Sequence, residues 1–413
     1  MTFRNSLARA TGGAVARLSR LTGRGSGTTV GGRVTLMLDP SALRTAAAGR
    51  EIALISGTNG KTTTRTLLVA ALRTAGPVAS NGGGANLPTG LTAALSTDRT
   101  SPRAVLEVDE PYLPQIIGTV EPRAVVLLNL SRDQLDRYAE VGRISTVWRK
   151  ALADVPVAVG NADDPLVVWA ASGARETVWV AAGQRWTDDS TACPSCGGVL
   201  LRAVPPQDRH WHCPSCGLSR PTPQWTVAGR TVTAPDKTSY DVQLSLPGEV
   251  NIGNAALAAA AASSWGVTPA VAFEAMAAIP SVEGRYLETK VGNRPVRLLL
   301  AKNPAGWVEA LEMTRPGLPV VVAVNARAQD GRDPSWLWDV PFEVLQGREA
   351  VATGERSRDV AVRLRYAGVE HVRVDDLAAA VGAAAVRAAS PGPVEVLANY
   401  TAFQGYRRVV GDG

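Results

Sequence analysis

Residues 51–76 read EIALISGTNGKTTTRTLLVAALRTAG and predict a strand, a tight loop and a helix in that order. The apolar run Ile52 to Ile55 is typical of a buried strand, and leucines and alanines then recur at helical spacing until Gly76. A glycine-bearing loop between a buried strand and a helix is an arrangement that binds phosphate in parallel α/β proteins. These residues therefore predict a parallel α/β fold with a nucleotide site at the start of the helix.

The loop supplies the groups that such a site needs. Its glycines let the backbone approach phosphate oxygens, and free amides at the helix start point toward an anion. Lys61 can reach the terminal phosphates, and a hydroxyl of Thr62 or Thr63 can bind Mg²⁺. A further glycine is usual where Ile55 stands, so the loop is a shortened variant; a plain glycine turn with a solvated lysine is the alternative. The predicted ATP-binding residues here are Gly57, Thr58, Asn59, Gly60, Lys61, Thr62 and Thr63.

The composition bounds the class of protein. The 413 residues suffice for two or three domains, and 45% of them are hydrophobic, as in a globular chain. No apolar run approaches the roughly 20 residues of a membrane span, so no transmembrane segment is predicted. The net charge of +6 is spread along the chain and does not predict nucleic-acid binding. We expect a cytoplasmic protein.

The N-terminal segment, residues 1–44, is basic at its start. Arginines alternate there with alanine, leucine and valine, which predicts an amphipathic helix followed by a Gly/Ser hinge. A signal peptide is not predicted, because no apolar core with a cleavage site is present. A solvated surface helix is the expected role, and contact with anionic lipid at the inner face of the cytoplasmic membrane is the alternative. The arginines are Arg4, Arg9, Arg17, Arg20 and Arg24.

All four cysteines fall into two Cys-Pro-Ser-Cys pairs. A glycine follows each pair, as a zinc knuckle requires, so the spacing predicts a zinc ribbon in which four thiolates form a tetrahedron. Four thiolates fill the coordination sphere, which makes the predicted zinc structural rather than catalytic. Two disulfides are the competing interpretation, and a reducing compartment disfavours it. The predicted ligands are Cys193, Cys196, Cys213 and Cys216.

Polar side chains follow two further apolar runs. Residues 104–110 form a predicted strand that ends in the acids Glu107, Asp109 and Glu110. Residues 124–129 form another, which leads into NLSRDQLDRY at 129–138. The carboxyl ends of parallel strands line the ligand crevice of an open sheet. Because Mg²⁺ prefers carboxylate and phosphate oxygens, the acids at these strand ends are candidate magnesium ligands.

The order of predicted strands and helices divides the chain into domains. The N-terminal segment precedes an ATPase domain at 45–290, which the zinc ribbon interrupts at about 186–224. From Arg294 onward, short apolar strands alternate with longer helices. This alternation predicts a second, smaller, Rossmann-like α/β domain at 291–413.

Six motifs occur in the order typical of the Mur ligases: the phosphate loop, Glu107, the 129–138 run, Asn161-Ala-Asp-Asp-Pro165, Gly248 to Asn254, and Gly284-Arg285. Over residues 45–325 the chain resembles that family. The resemblance implies a ligase that uses ATP and Mg²⁺. The implied positions are Lys61 and Thr62 at the phosphates, Glu107 at Mg²⁺, Asn251 and Asn254 near adenine, and Arg285 at the γ-phosphate.

Three departures from the Mur ligase pattern narrow the interpretation. Gln134 stands where the family usually has a histidine at a second Mg²⁺, and a neutral amide is a weaker ligand. The nearest counterpart of the family's carbamylated lysine is Lys150, and Val250 replaces a histidine in the adenine motif. The magnesium ligands implied for this chain are therefore Thr62, Glu107 and Gln134.

With these departures the chain resembles one branch of the family, the Mur-ligase-like subunits of lipid II isoglutaminyl synthase. The inserted ribbon, the DGRDPSWLWD segment at 330–339 and ANYTAF at 398–403 carry this resemblance. It implies that ATP phosphorylates the α-carboxyl of D-glutamate in the lipid II stem peptide and that ammonia then displaces the phosphate, giving D-isoglutamine for peptidoglycan biosynthesis. Lys61, Arg285 and Mg²⁺ would stabilise the charge on the transferred phosphoryl group.

The cysteine count bears on the source of the ammonia. Amidotransferases hydrolyse glutamine with a cysteine nucleophile. Here all four thiols are assigned to zinc and residue 2 is a threonine rather than a cysteine, so the chain is not predicted to be a glutaminase of either common type. A separate subunit is therefore expected, and the resemblance implies a GatD-type glutaminase in a heterodimer. We expect an aspartate of the 330–339 segment to complete its catalytic group. Asp339 is the first choice, because Asp333 precedes Pro334 and can cap a short helix.

Two other functions stay open at this point. An amino-acid ligase of the Mur or folylpolyglutamate type would add a residue in place of ammonia. A nucleotide-dependent zinc-ribbon module that binds nucleic acid would need a basic ribbon, and between the cysteine pairs Arg202 and Arg209 are opposed by Asp208. The predicted catalytic residues of the favoured reading are Lys61, Glu107, Asp333 and Asp339.

Overall fold

A computed structural model of the chain describes residues 3–21, 28–133, 141–203, 210–282, 285–387 and 392–410. The helices are α1 (Phe3–Leu21), α2 (Thr28–Leu38), α3 (Ala42–Ala47), α4 (Lys61–Arg73), α5 (Pro88–Thr97), α6 (Leu113–Val120), α7 (Val141–Ala151), α8 (Pro165–Ala171), α9 (Glu249–Ser263), α10 (Pro269–Ala277), α11 (Pro304–Met313), α12 (Ser357–Tyr366), α13 (Leu377–Arg387) and α14 (Tyr400–Val409). Short 3₁₀ helices lie at Glu110–Tyr112, Leu152–Asp154, Asp188–Ser190, Ser335–Asp339 and Phe342–Leu345.

The strands alternate with these helices along much of the chain. They are β1 (Glu51–Ser56), β2 (Val78–Ser80), β3 (Arg103–Glu107), β4 (Ala124–Leu127), β5 (Val157–Asn161), β6 (Glu176–Ala181), β7 (Leu201–Arg202), β8 (Trp211–His212), β9 (Trp225–Ala228), β10 (Thr231–Thr233), β11 (Ser239–Asp241), β12 (Tyr286–Val291), β13 (Arg294–Leu300), β14 (Val320–Ala323), β15 (Ala350–Thr353), β16 (His371–Arg373) and β17 (Val394–Ala398).

The elements form two compact units, each with its own large sheet. Unit 1 takes the described residues within Met1–Leu130, Val141–Ser245 and Glu249–Pro280, and unit 2 takes those within Ser131–Glu140, Leu246–Gly248 and Ser281–Gly413. The domain boundary predicted after residue 290 falls inside β12. Because β12 pairs with β13 along its whole length, the strand belongs entirely to unit 2.

Unit 1 contains a nine-stranded sheet in the order β11-β10-β9-β6-β5-β4-β1-β3-β2. The strands from β9 to β2 pair in parallel, and β10 and β11 add an antiparallel edge. Four successive residues of β1, Ile52 to Ile55, are fully buried. Successive side chains point to opposite faces of a sheet, so both faces are covered, as expected for parallel strands between helices.

The register of the sheet brings the predicted site residues to one edge. Ile55 of β1 lies opposite Glu107 of β3, and Ser56 lies opposite Leu127 of β4. The residues that follow these strands therefore share the carboxyl-terminal edge of the sheet, where parallel α/β proteins bind ligands.

The cysteine pairs lie in a segment between β6 and β9, two strands that pair with each other in parallel. Within this segment β7 and β8 form a small antiparallel pair, with Leu201 opposite His212. The sheet continues across the segment, so the ribbon is an insertion into the fold. This observation confirms the predicted insertion of a four-cysteine ribbon in an α/β domain.

Unit 2 contains a six-stranded sheet in the order β12-β13-β17-β14-β15-β16. All of its pairs are parallel except that of β12 with β13. Helices α11, α12 and α13 connect parallel strands, and α14 follows the last strand, β17. The predicted second α/β domain of Rossmann type is therefore confirmed in its fold class.

The basic N-terminal segment forms helix α1 as predicted, and a second helix, α2, follows it. Helix α2 was not predicted from the sequence, because the glycines and threonines of residues 28–38 favour loops. The Gly/Ser hinge and the side chains of Arg4, Arg20 and Arg24 lie outside what the structure describes. Among the described helices none is long and apolar enough to cross a membrane.

Candidate functional site

The phosphate loop connects β1 to α4 and depends on two glycines in left-handed conformation. Gly57 has φ +144° and Gly60 has φ +84°, values that other residues rarely adopt. A Cβ on Gly57 would lie 2.9 Å from the Cβ of Leu128, and one on Gly60 would lie 2.8 Å from Oδ1 of Asn254. Both conformation and space therefore require glycine in this loop.

Asn129, directly after β4, fixes the shape of the loop. Its carbonyl accepts the Thr58 amide at 3.0 Å, and its Oδ1 accepts the Asn59 amide at 2.8 Å. Its Nδ2 donates to the Asn59 carbonyl at 3.1 Å. In the sequence Asn129 belongs to a family motif, and no role was predicted for its side chain. A polar residue directly after an apolar run was the available signal.

Lys61 begins α4 and is buried among carboxylates. Its Nζ lies 2.9 Å from Oε2 of Glu110 and 3.8 Å from Oδ1 of Asp109, and it donates to the Thr58 carbonyl at 3.4 Å. Burial alone would lower the pKa of Lys61, but the carboxylates, that of Glu110 foremost, reverse this effect and raise it. The lysine is therefore charged and lies at the helix start, where a phosphate can replace a carboxylate as its counter-ion.

Glu110 is one of the acids that the sequence offers as candidate magnesium ligands, and its pairing with Lys61 was not predicted. It lies in the 3₁₀ helix after β3, and its carbonyl accepts the indole N–H of Trp148 at 3.0 Å. Burial raises the pKa of Glu110 to about 7; Lys61 lowers it and the neighbouring Asp109 raises it further. The acidic run at 107–110 was visible in the sequence, but the pairing with Lys61 depends on the adjacency of β1 and β3.

Glu107, a predicted magnesium ligand, ends β3 at the same edge. The side chain of Asn81 forms two hydrogen bonds with the backbone of Glu107: Oδ1 accepts the Glu107 amide and Nδ2 donates to the Glu107 carbonyl, each at 2.9 Å. Oε2 of Glu107 lies 3.7 Å from Nε of Arg65. Thr62 stands in the first turn of α4 and is half-buried.

The donor set at this edge fits magnesium. Carboxylate and hydroxyl oxygens are its preferred ligands, and ATP phosphates complete such sites. The third predicted ligand, Gln134, lies outside the described residues. The Mg²⁺ assignments of Thr62 and Glu107 stay predictions.

Two asparagines of α9 were predicted to lie near adenine. Asn254 Nδ2 donates to Oδ1 of Asn251 at 3.2 Å, one helical turn away. The close approach of Asn254 to Gly60 places this side chain at the phosphate loop. Arg285, predicted at the γ-phosphate, belongs to unit 2, where its carbonyl accepts the Leu300 amide at 3.1 Å.

The Asn161–Pro165 motif begins at the last residue of β5 and stabilises the loop after β4. One oxygen of Asp164 accepts the Leu130 amide at 2.8 Å, and the other caps α8 by accepting the amides of Leu166 and Val167. Burial raises the pKa of Asp164 to about 6, against the lowering effect of these hydrogen bonds. Leu130 is adjacent to Asn129, so Asp164 supports the residue that shapes the phosphate loop.

The four cysteine sulfurs lie within 4.8 Å of one another. Sulfurs of opposite pairs approach to 3.6 Å (Cys193 and Cys216) and 3.5 Å (Cys196 and Cys213). Each knuckle turns at a left-handed glycine with φ +77°, Gly197 in the first and Gly217 in the second. Four converging sulfurs fit a tetrahedral zinc ion, which would hold the two knuckles together.

The ribbon is attached to the Asn161–Pro165 motif. Nε of Arg220 lies 2.7 Å from Oδ1 of Asp163, and the indole N–H of Trp211 donates to the Ala162 carbonyl at 3.1 Å. The Arg220 amide also donates to the Trp211 carbonyl. Trp211 is almost fully buried. The ribbon therefore contacts the loop that supports the nucleotide site.

In unit 2 the 330–339 segment ends in the 3₁₀ helix Ser335–Asp339. Asp333 accepts the Ser335 amide at 2.9 Å at the start of that helix, and this bond lowers the pKa of Asp333. Asp339, at the other end, is partly exposed and has an ion pair with Arg132 at 3.4 Å. Trp338 is 55% exposed and lies edge-on to Tyr366 with ring centres 5.3 Å apart.

Similarity to known proteins identifies the family. The Mur ligase middle domain matches residues 55–188, and the MurT ligase C-terminal domain matches residues 300–403. The MurT subunit of lipid II isoglutaminyl synthase (glutamine-hydrolyzing) from Streptococcus pneumoniae R6 is 31% identical over 85% of this chain and 84% of its own. The chain belongs to the MurT family.

Two further likenesses agree with this family. The MurT subunit from Staphylococcus aureus N315 is 30% identical over 86% of each chain. The solved structure of a pseudomurein peptide ligase type C from Methanothermus fervidus, 20% identical, matches 88% of this chain and 78% of its own with a TM-score of 0.69. Membership of the MurT family confirms the predicted relation to Mur ligases, and the structural likeness confirms the fold.

Proposed function

We propose that this protein is the ATP-using subunit of a lipid II isoglutaminyl synthase. In the proposed reaction a carboxylate oxygen, that of the D-glutamate α-carboxyl of the lipid II stem peptide, attacks the γ-phosphorus of ATP. ADP leaves, and an acyl phosphate forms. Ammonia then attacks the acyl carbon, phosphate departs with the bonding electrons, the nitrogen loses one proton to the departing phosphate or to water, and the amide of D-isoglutamine remains.

The burial of Lys61 at the start of α4 is the observation that carries the phosphoryl-transfer step. Its charged Nζ, 2.9 Å from Glu110, lies beside a loop whose backbone amides are fixed by Asn129. A positive group already positioned at the transferred phosphate stabilises charge without reorganisation. MurT membership supports the choice of amidation over other Mur-type ligations.

Magnesium, when bound with ATP, would neutralise charge on the phosphate oxygens. Thr62 and Glu107 are the described residues proposed to hold it, with Gln134 as a third. Arg285 is proposed to reach the γ-phosphate, and Asn251 and Asn254 to bind near adenine. Zinc in the ribbon is proposed to be structural.

The proposed reaction is tested with purified chain, MgATP, ammonium and a lipid II substrate. We expect ADP release together with the mass change that accompanies replacement of a carboxyl by a carboxamide. Lys61→Met should remove both products, while Lys237→Met, at an exposed turn, should remove neither. Incorporation of an amino acid instead of ammonia would show an amino-acid ligase and reject the proposal.

The ammonia is proposed to come from a GatD-type glutaminase subunit in a heterodimer. Asp339 is proposed to complete the catalytic group of that subunit, since it is partly exposed and stands next to the exposed Trp338. Asp333 already accepts the Ser335 amide at the start of the 3₁₀ helix, which supports Asp339 as the first choice.

Nitrogen-source dependence tests this role of Asp339. In the assembled complex, Asp339→Asn should abolish turnover with glutamine and leave turnover with ammonium unchanged. Asp333→Asn is the matched variant and should retain both activities. Loss of ammonium-dependent turnover in Asp339→Asn would reject the assignment. The proposed site of action is the cytoplasmic face of the membrane, where lipid II offers its stem peptide.

A further inference from the structure

The N-terminal helices α1 and α2 pack through small residues. A Cβ on Gly12 of α1 would lie 2.1 Å from Oγ1 of Thr35 and 2.6 Å from the carbonyl oxygen of Gly31, both on α2. Ala8 is fully buried one turn before Gly12. The side of α1 that faces the protein is therefore made of alanine and glycine, which lets the two helices approach closely.

The pair of helices is anchored to α5 of unit 1. A Cβ on Gly32 would lie 1.8 Å from the carbonyl oxygen of Thr89, so α2 and α5 are in tight contact. The guanidinium of Arg9 donates to the Ser96 carbonyl at 2.7 Å. These contacts set the rotation of α1, and the opposite side of the helix is directed to solvent.

The solvent side of α1 carries large apolar residues. Leu7, Leu18 and Leu21 are 54%, 62% and 84% exposed. Exposed Ala10, Ala14 and Arg17 stand between them at helical spacing, so they share one face. An ordinary amphipathic helix buries its leucines and exposes its small residues, whereas α1 does the reverse.

Every charged side chain that precedes Asp39 in the sequence is basic; among the described ones, Arg17 lies on the solvent face of α1, whereas Arg9 faces α5. The basic residues are Arg4, Arg9, Arg17, Arg20, Arg24 and Arg33. On α2 the exposed Arg33 stands between exposed Val30 and Met37. Apolar side chains interspersed with arginine are typical of helices that lie in the interface of an anionic bilayer.

We propose that the solvent face of α1, defined by Leu7, Leu18 and Leu21 together with Arg17, docks on an anionic membrane surface. A helix of 19 residues is about 28 Å long and can lie flat in the headgroup region with its leucines in the acyl boundary. A second copy of the chain is the weaker occupant, because two identical arginine-bearing faces repel each other. The proposal does not depend on the amidation reaction, since bilayer binding requires neither ATP nor substrate.

Vesicle sedimentation with the full-length protein tests this docking. The probe is a sucrose-loaded vesicle of phosphatidylcholine with 30% phosphatidylglycerol, a composition chosen to be anionic. The wild type should bind these vesicles with more than tenfold higher apparent affinity than vesicles of pure phosphatidylcholine, because each arginine near an anionic surface raises the affinity roughly fivefold. High salt should weaken the binding. The triple variant Leu7→Gln, Leu18→Gln, Leu21→Gln should lose at least about tenfold in apparent affinity, because its apolar anchors are removed. Val386→Gln, an exposed apolar residue of α13, should bind like the wild type.

Circular dichroism and ATP affinity of the triple variant establish that it is folded. Equal sedimentation of the triple variant and the wild type would overturn the proposal. Failure of the wild type to bind anionic vesicles would also overturn the proposal. This outcome includes the case in which the leucines form a dimer interface in solution. Vesicle binding without amidation activity would reject the proposed function and retain the membrane surface, so the two failures are distinguishable.

Discussion

Nε of Arg220 in the zinc ribbon donates to Oδ1 of Asp163, on the loop that follows β5, at 2.7 Å. The other oxygen of Asp163 accepts the Gly183 amide at 2.8 Å, where the chain leaves β6. Asp164, the next residue, accepts a hydrogen bond from the Leu130 amide. These hydrogen bonds, together with the adjacency of Asp163 to Asp164 and of Leu130 to Asn129 along the chain, connect the ribbon to the residues that shape the phosphate loop.

Arg220→Met should weaken ATP binding without touching the nucleotide. Coupling through packed and hydrogen-bonded residues is worth about three- to thirtyfold in affinity, and we expect a loss within that range. The measurement is ATP titration by calorimetry with Mg²⁺ present. Arg220→Lys should restore part of the affinity, because a lysine can donate to Asp163.

Arg230→Met is the matched control for Arg220, since Arg230 is an exposed arginine in the turn between β9 and β10, outside the ribbon. Its ATP affinity should equal that of the wild type. Unchanged affinity in Arg220→Met, with the lost hydrogen bond verified, would show that the ribbon and the phosphate loop are not coupled.

Removal of zinc should weaken ATP binding more than Arg220→Met does. Cys213→Ser, or treatment with a strong chelator, leaves the knuckles without their crosslink, and the ribbon core around Trp211 should loosen. Indole fluorescence should shift to longer wavelength, and ATP affinity should fall. The zinc content of the purified chain, near one ion per molecule, is the accompanying measurement. A chain that binds ATP equally well after complete zinc loss would contradict this expectation.

Glu110→Gln should change how stability depends on pH. The pKa of Glu110 is raised from 4.5 to about 7, so its contribution to stability is full below about pH 4.5 and is lost as the pH rises through about 7. Glutamine does not titrate. The Tm of Glu110→Gln minus that of the wild type should therefore be more positive at pH 8 than at pH 5.

Lys61 and Asp109 face Glu110 and also affect its pKa. Because Glu110→Gln changes only residue 110, the difference between the two melting curves reports the titration of Glu110. Thermal melts followed by circular dichroism provide the measurement. Glu355→Gln, an exposed acid of unit 2, controls for loss of one charge. A Tm difference that is the same at both pH values would show that the pKa of Glu110 is not raised.

Asp164→Asn should destabilise unit 1. Asparagine keeps one oxygen for the cap of α8 but presents an N–H₂ group to the Leu130 amide, so one buried donor loses its acceptor. An unsatisfied buried polar group costs about 1–3 kcal/mol, and denaturant unfolding should show a loss of that size. Asp154→Asn, at an almost fully exposed side chain, should leave the free energy of unfolding unchanged.

The sequence determined those features that depend on neighbours along the chain. The strand–loop–helix order of residues 51–76, the cysteine knuckles and the alternation of strands and helices after Arg294 are all local patterns. Apolar periodicity and glycine conformation act over a few residues, so they can be read from the chain directly. The α/β fold class, the ribbon insertion and the family motifs followed from them.

The tertiary structure alone decided which distant residues meet. Glu110 faces Lys61 because β3 pairs with β1, and Asn129 reaches the phosphate loop because β4 lies on the other side of β1. The ribbon contacts Asp163 because β6 and β9, the strands on either side of the insertion, pair with each other. Helix α1 exposes its leucines because its glycine and alanine side fits α2 more closely than leucine could. Strand order and close packing are set by the whole fold, which local sequence patterns do not encode.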